Sequence, residues 1–144
     1  AIDATVTRCQ TLGYVNDDAF AKSQARGHRR QGRSQLGIRQ RLRQHRLDDD
    51  VIDAALEVAD EHTANGELLA ACRFARRRQI GPFDHRQNNG DDRDAIMQRM
   101  QRQLGAMARA GFAMAISRKV FELADSTAGE SLIDKLEHGE DPTV

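Results

Sequence analysis

Proline, tryptophan and cysteine are almost missing from this chain of 144 residues. Only Pro82 and Pro142 interrupt the backbone donors, so nearly the whole length is free to be helical. With no tryptophan and 4% aromatic residues, the core must be thin and built from Leu, Ile, Val, Ala and Met. Apolar runs are only a few residues long and 31% of the residues are charged, so no segment suits a bilayer span. No charged start followed by an apolar stretch marks a secretory signal. Cys9 and Cys72 stand far apart with no CxxC and no histidine at ligand spacing, so they read as reduced, packed thiols in a cytoplasmic protein. The chain starts at Ala1 among residues that already look structured, as a piece of a longer protein would.

Catalytic signatures are missing too. The five histidines, His28, His45, His62, His85 and His138, include no HxxxH or HxxE pair. There is no glycine-rich phosphate loop after a strand, no GxSxG, and no suggestive Ser/His/Asp order. Asp49, Asp53, Glu57 and Glu61 fall on one helical face, but acids at a helix start simply complement its dipole. The expectation is therefore a protein that is not an enzyme, with no cofactor and no metal.

Net charge is absent only as a total, since 22 Lys+Arg balance 22 Asp+Glu. Along the chain the charges are in blocks. Nine basic residues and no acid lie between Lys22 and Arg46; eight acids and no Lys or Arg lie between Leu47 and Glu67. Five arginines and one acid follow from Arg73 to Arg86, and the stretch after Val120 is acidic. Such blocks present separate basic and acidic surfaces. Lys22, Arg26, Arg29, Arg30 and Arg33 recur at helical spacing on one face; Arg39 and Arg43 do so on the next helix. All but three of the basic residues are arginine, which favours planar, bidentate contacts with phosphates or carboxylates. Together with Arg76 and Arg77 these are the candidate partner- or DNA-binding residues. No aromatic is interleaved with them, against a base-stacking platform. Reversing Arg39 and Arg43 to glutamate is expected to abolish partner binding and leave the helical content unchanged.

The periodicity is helical almost throughout, and strand-like alternation is absent. Ile2, Val6, Cys9 and Leu12 suggest a helix stopped by Gly13, and Asn16 or Asp17 can cap a second that ends near Gly32. Ser34 can cap a third with Leu36, Ile38 and Leu42; Asp48 can cap a fourth with Val51, Ile52, Ala55, Leu56 and Ala59. After Asn65-Gly66 comes a fifth with Leu68, Leu69, Cys72 and Ala75. A sixth carries the stripe Ile96, Met97, Met100, Leu104 and Met107, read as core, and a seventh holds Ile116, Val120, Phe121 and Leu123. Leu42, Leu47, Val51 and Leu56 match Met107, Phe112, Ile116 and Phe121 at a constant offset of 65. Phe20 and Leu69 are then candidate equivalents. This predicts an all-α fold of tandem three-helix repeats, an elongated and curved helical array. Residues 1–13 would be the last helix of an incomplete first repeat and 14–65 the second repeat. Residues 66–125 would be the third, with an insertion near 80–91, and 126–144 a partly ordered acidic tail in which Leu132, Ile133 and Leu136 could form a short amphipathic turn.

The run Leu12-Gly13-Tyr14-Val15-Asn16-Asp17-Asp18-Ala19-Phe20-Ala21 belongs with three others: Gly32-x5-Ile38-x3-Leu42-x4-Leu47, Val51-Ile52-x2-Ala55-Leu56 and Arg109-Ala110-Gly111-Phe112-x3-Ile116. In their order and spacing they resemble the RecX family, bacterial regulators of the RecA recombinase, over residues 2–123. The resemblance implies tandem three-helix repeats and a non-enzymatic role. Family members bind the RecA–DNA filament along its groove and limit its growth, restraining ATP hydrolysis, strand exchange and co-protease activity in the SOS response and DNA repair. It implies RecA on DNA as partner, with direct DNA contact through the arginines open as well, and a monomer. Two positions depart from the family pattern: Gln24 replaces an aromatic, and Arg46 replaces a glycine that Gly111 retains in the next repeat. The alternative is a helical nucleic-acid-binding module acting as a transcription regulator.

Overall fold

The computed structural model describes residues 2–86, 90 and 92–144, with side chains from residue 16 onward. Every regular element among them is a helix. The order is α1 (Ile2–Arg30), α2 (Gln35–Gln44), α3 (Asp49–Asp60), α4 (Gly66–Arg78), a short 3-10 turn (Gly81–Phe83), α5 (Arg93–Arg109), α6 (Met114–Phe121) and α7 (Ser126–Glu137).

Two apolar clusters divide these helices. In one, Ala21 and Ala25 of α1 meet Ile38 and Leu42 of α2 and Ile52, Ala55 and Leu56 of α3. The small alanines let α1 and α3 approach closely, as interaxial distance follows side-chain size. The other joins Leu68, Leu69, Cys72 and Ala75 of α4 to Phe83, Met107, Phe112, Val120 and the α7 residues Leu132, Ile133 and Leu136. The chain is thus two three-helix units, α1–α3 and α4–α6, with α7 packed on the second.

The units close their helices in the same way. After α1, Gly32 is left-handed (φ 79°), Arg33 N donates to the His28 carbonyl at 3.0 Å and Gly32 N to that of Arg29 at 3.0 Å. This is a Schellman closure, which satisfies the last free carbonyls. Gln79 (φ 55°) closes α4 likewise, and Gly111 (φ 97°) closes α5. Arg46 (φ 58°) holds the corresponding place after α2, offset 65 from Gly111. Ser34, Asn65, Asp92 and Asp125 cap α2, α4, α5 and α7 through their side chains.

Four sequence expectations change. The helix does not stop at Gly13 but runs unbroken from Ile2 to Arg30, so the boundary placed between residues 13 and 14 lies inside α1. An interior glycine costs a helix only ~1 kcal/mol, which does not end it. The acidic tail is not loose: α7 buries Leu132, Ile133 and Leu136 and turns its acids to solvent and to arginines of α4. Phe20 and Leu69 are not equivalent. Phe20 is 39% exposed and packs edge-on to His45, whereas Leu69 is buried. The methionine stripe is core only at Met107; Met97 and Met100 are exposed, because only the C-terminal half of α5 is buried against the unit. Cys72 is buried as expected, and Cys9 falls outside the described side chains.

Candidate functional site

The two units meet at a seam made by polar groups. Arg29, 5% exposed, points inward from the last turn of α1. Its guanidinium grips Asp60 at the end of α3 through Nε (3.1 Å) and Nη2 (3.0 Å). Its Nη1 donates to Glu67 at the start of α4 (2.9 Å) and to the Arg33 carbonyl (3.1 Å). Glu67 also accepts from Gln35 N at 3.0 Å. Buried Ser34 caps α2 and donates to the Ala110 carbonyl of the second unit at 2.5 Å. Arg77 of α4 donates to the Gln31 carbonyl. The backbones come close here: a Cβ on Gly32 would stand 2.7 Å from Phe74 N.

Beside these contacts the seam opens into a cleft of about 500 Å³. Arg33 and Arg41 line it from the first unit; Arg77, Arg78 and Arg109 line it from the second. Gln31, Gln40 and Gln44 add amides, and no carboxylate lines it. Arg41 and Arg109 have no ion-pair partner among the described residues. Arg78 lies over the Phe74 ring, 5.3 Å from its centroid. Arg33 donates to Nδ1 of His28, which requires the neutral imidazole there. The crowding shows in protonation. Burial, then the charges of Arg41 and Arg77, lower the Arg33 pKa below its ordinary value. Burial, with Arg33, Arg41 and His45, pushes His28 down. These cations lie at or near the ends of α1, α2, α4 and α5, where the helix dipoles offset part of their mutual repulsion.

The predicted residues do not form one surface. Only Arg33 and Arg77 reach the cleft. Arg26 and Arg30 are exposed on α1, and Lys22 pairs with Asp18 at 3.0 Å. Arg29 is taken up by the seam. Arg39 pairs with Asp53 (2.5 Å), Arg43 with Asp49 (3.3 Å) and Arg76 with Glu130 (3.0 Å). Reversing Arg39 and Arg43 would therefore set glutamates against the acids of α3, so unchanged helical content is no longer the expected outcome. Arg41, Arg78 and Arg109 were not singled out by their spacing. Arg41 lies about 200° around α2 from Arg39 and Arg43. Its companions are Gly37, Gln40 and Gln44, a polar face at i, i+3, i+4 and i+7 that was the readable signal. Among the described residues no cluster of His, Cys, Asp or Glu could hold a metal ion. No described helix is long and apolar enough to cross a membrane.

Fold and cleft together define a helical-repeat protein whose distinctive surface is an arginine-lined seam between two units. A family model described as "RecX, second three-helix domain" matches residues 16–56, from the middle of α1 into α3. Curated relatives agree. The chain is 33% identical over 121 residues to the regulatory protein RecX of Myxococcus xanthus, covering 84% of this chain and 60% of the relative. Against that of Agrobacterium fabrum it is 30% identical over 129 residues, 90% of this chain and 63% of the relative. Against that of Mycolicibacterium vanbaalenii it is 31% identical over 128 residues, 85% and 65% respectively. By these matches the chain is similar to the RecX family over most of its own length. It spans about three fifths of the length of these relatives, which are regulatory proteins by name. No solved structure shows a significant match.

Proposed function

We propose that this chain is the part of a RecX-type regulator that binds the RecA filament on DNA. By occupying it, the chain limits RecA's ATP hydrolysis, strand exchange and co-protease activity. The observation that carries the reading is the seam, where five arginines from two units gather with no carboxylate among them. A filament groove offers two anionic surfaces to such a cleft, acidic protein and DNA phosphate. Guanidinium groups suit both through bidentate contacts. Arg26 and Arg30, exposed on α1, are further cations outside the cleft. In this reading the chain acts as a cytoplasmic monomer in the control of recombination and repair.

The test is RecA-catalysed ATP hydrolysis on single-stranded DNA, titrated with the chain. Inhibition near stoichiometric amounts, lost in an Arg41→Gln/Arg109→Gln variant, is expected; no inhibition at all would count decisively against the reading. The transcription-regulator alternative predicts tight, sequence-selective binding to bare duplex with a steep salt slope. Co-sedimentation with RecA filaments, against DNA alone, separates the two.

A further inference from the structure

The seam cleft is unusual in that neither unit forms it alone. Arg33 and Arg41 come from one side and Arg77, Arg78 and Arg109 from the other. We propose that this cleft is a binding site for adjacent phosphate groups, and that its occupant bridges the two three-helix units. The proposal concerns the same cleft as the functional reading but needs no RecA.

Three observations support it. First, the charges are of one sign. With no carboxylate lining the cleft, a polyanion is the ligand that removes their repulsion. Arginine presents a planar fork that matches two phosphate oxygens at once, and Gln31, Gln40 and Gln44 can donate to others. Second, the volume of about 500 Å³ lies within the ~300–1,000 Å³ usual for small-ligand sites, more than a single phosphate needs. Third, the cleft adjoins the contacts that hold the units together, from Arg77 to the Gln31 carbonyl and from Ser34 to the Ala110 carbonyl. Phosphates bound between Arg41 and Arg109 would add a further, ionic connection across the seam. The phosphates could be supplied by a nucleic-acid backbone or by a free polyphosphate such as a nucleotide's.

Sodium tripolyphosphate is the probe, titrated calorimetrically into the purified chain at low salt, with amide hydrogen exchange on the free and bound protein. Arg41→Gln and Arg109→Gln each remove one cation from one side. Both residues are exposed and without an ion pair among the described residues, so neither change threatens the fold. Each is expected to weaken binding about tenfold or more, the loss of one charge-assisted contact. Arg93→Gln, at the far end of α5 from Arg109, should change it less than twofold. On binding, exchange should slow in the last turns of both α2 and α5. No binding, equal losses in all three variants, or protection confined to one unit would overturn the proposal. With the site established, an oligothymidylate that displaces tripolyphosphate assigns the phosphates to a strand; failure to displace it assigns them to a free polyphosphate. Because RecA is absent, failure here leaves the regulatory reading to its own ATPase test.

Discussion

Replacing Arg29 by methionine keeps the length and apolar stem of the side chain and removes its charge and its fork. Four hydrogen bonds disappear, two to Asp60, one to Glu67 and one to the Arg33 carbonyl. Breaking a fully buried ion pair costs about 3–5 kcal/mol, because the abandoned charge stays desolvated. Here the abandoned carboxylates are not fully buried. The side chains of Asp60 and Glu67 are 30% and 23% exposed and would regain some water. The loss should therefore be nearer 2–3 kcal/mol. For a chain of this size that lowers the melting temperature by about 5–10 °C. Thermal and urea unfolding followed by circular dichroism would measure it. Arg30→Met, one residue on and exposed, is the control and should lie within 0.5 kcal/mol of the parent. A melting temperature for Arg29→Met within about 2 °C of the parent would show that the seam does not depend on this guanidinium. Arg29 would then return to the surface role its spacing suggested.

Arg46→Gly relieves a left-handed arginine but loosens the unfolded chain, so a net gain of about 0.5–1 kcal/mol in urea unfolding is expected. Gly111→Ala should do the reverse by about 1–3 kcal/mol, since φ is 97° and the new Cβ would stand 2.5 Å from Ser34 Oγ. His28 is held below its ordinary pKa, so the unfolded state binds its proton first, and stability should fall as pH drops through about 6.5. His28→Gln should flatten that slope in melts between pH 5 and 7.5. Exposed His138, raised by a backbone hydrogen bond and the charge of Asp134, acts weakly in the opposite sense. Cys72, buried, with its thiol pushed up to about 12, should resist iodoacetamide at pH 8 until the chain is unfolded, as mass spectrometry would show.

Much of the fold was legible because it depends on local rules. Ser34 caps α2 as its place before an apolar period suggests, and Asn65-Gly66 marks the break before α4, whereas Asp48 precedes α3 without a side-chain cap bond. The offset of 65 between Leu42 and Met107 survives as two buried residues in corresponding helices. What failed was tertiary. Gly13 looks like a stop from sequence, but one glycine does not outweigh a long helical period. The acids after Ser126 look like a solvated tail until Leu132, Ile133 and Leu136 find a surface on α4 and the 3-10 turn, where Arg73 and Arg76 receive Glu137 (2.8 Å) and Glu130 (3.0 Å). The arginine stripe looks like one face in the sequence because spacing records only the angle around a helix. It does not record which neighbour already holds each charge. Arg29, Arg39, Arg43 and Arg76 are each engaged by an acid of another helix, and Arg41, opposite the stripe on α2, is one of those left for a partner.

The Arg29 fork has one further effect. Asp60 ends α3 and Glu67 begins α4, so one guanidinium ties down both ends of the connector between the units. A connector pinned at both ends is a poor hinge. The chain then behaves as a ruler rather than as beads on a string, with a set distance between matching features of its two units. A ruler gives up little conformational freedom when it docks, and contact by one unit delivers the other at high effective concentration. It also rejects any partner whose own spacing does not match.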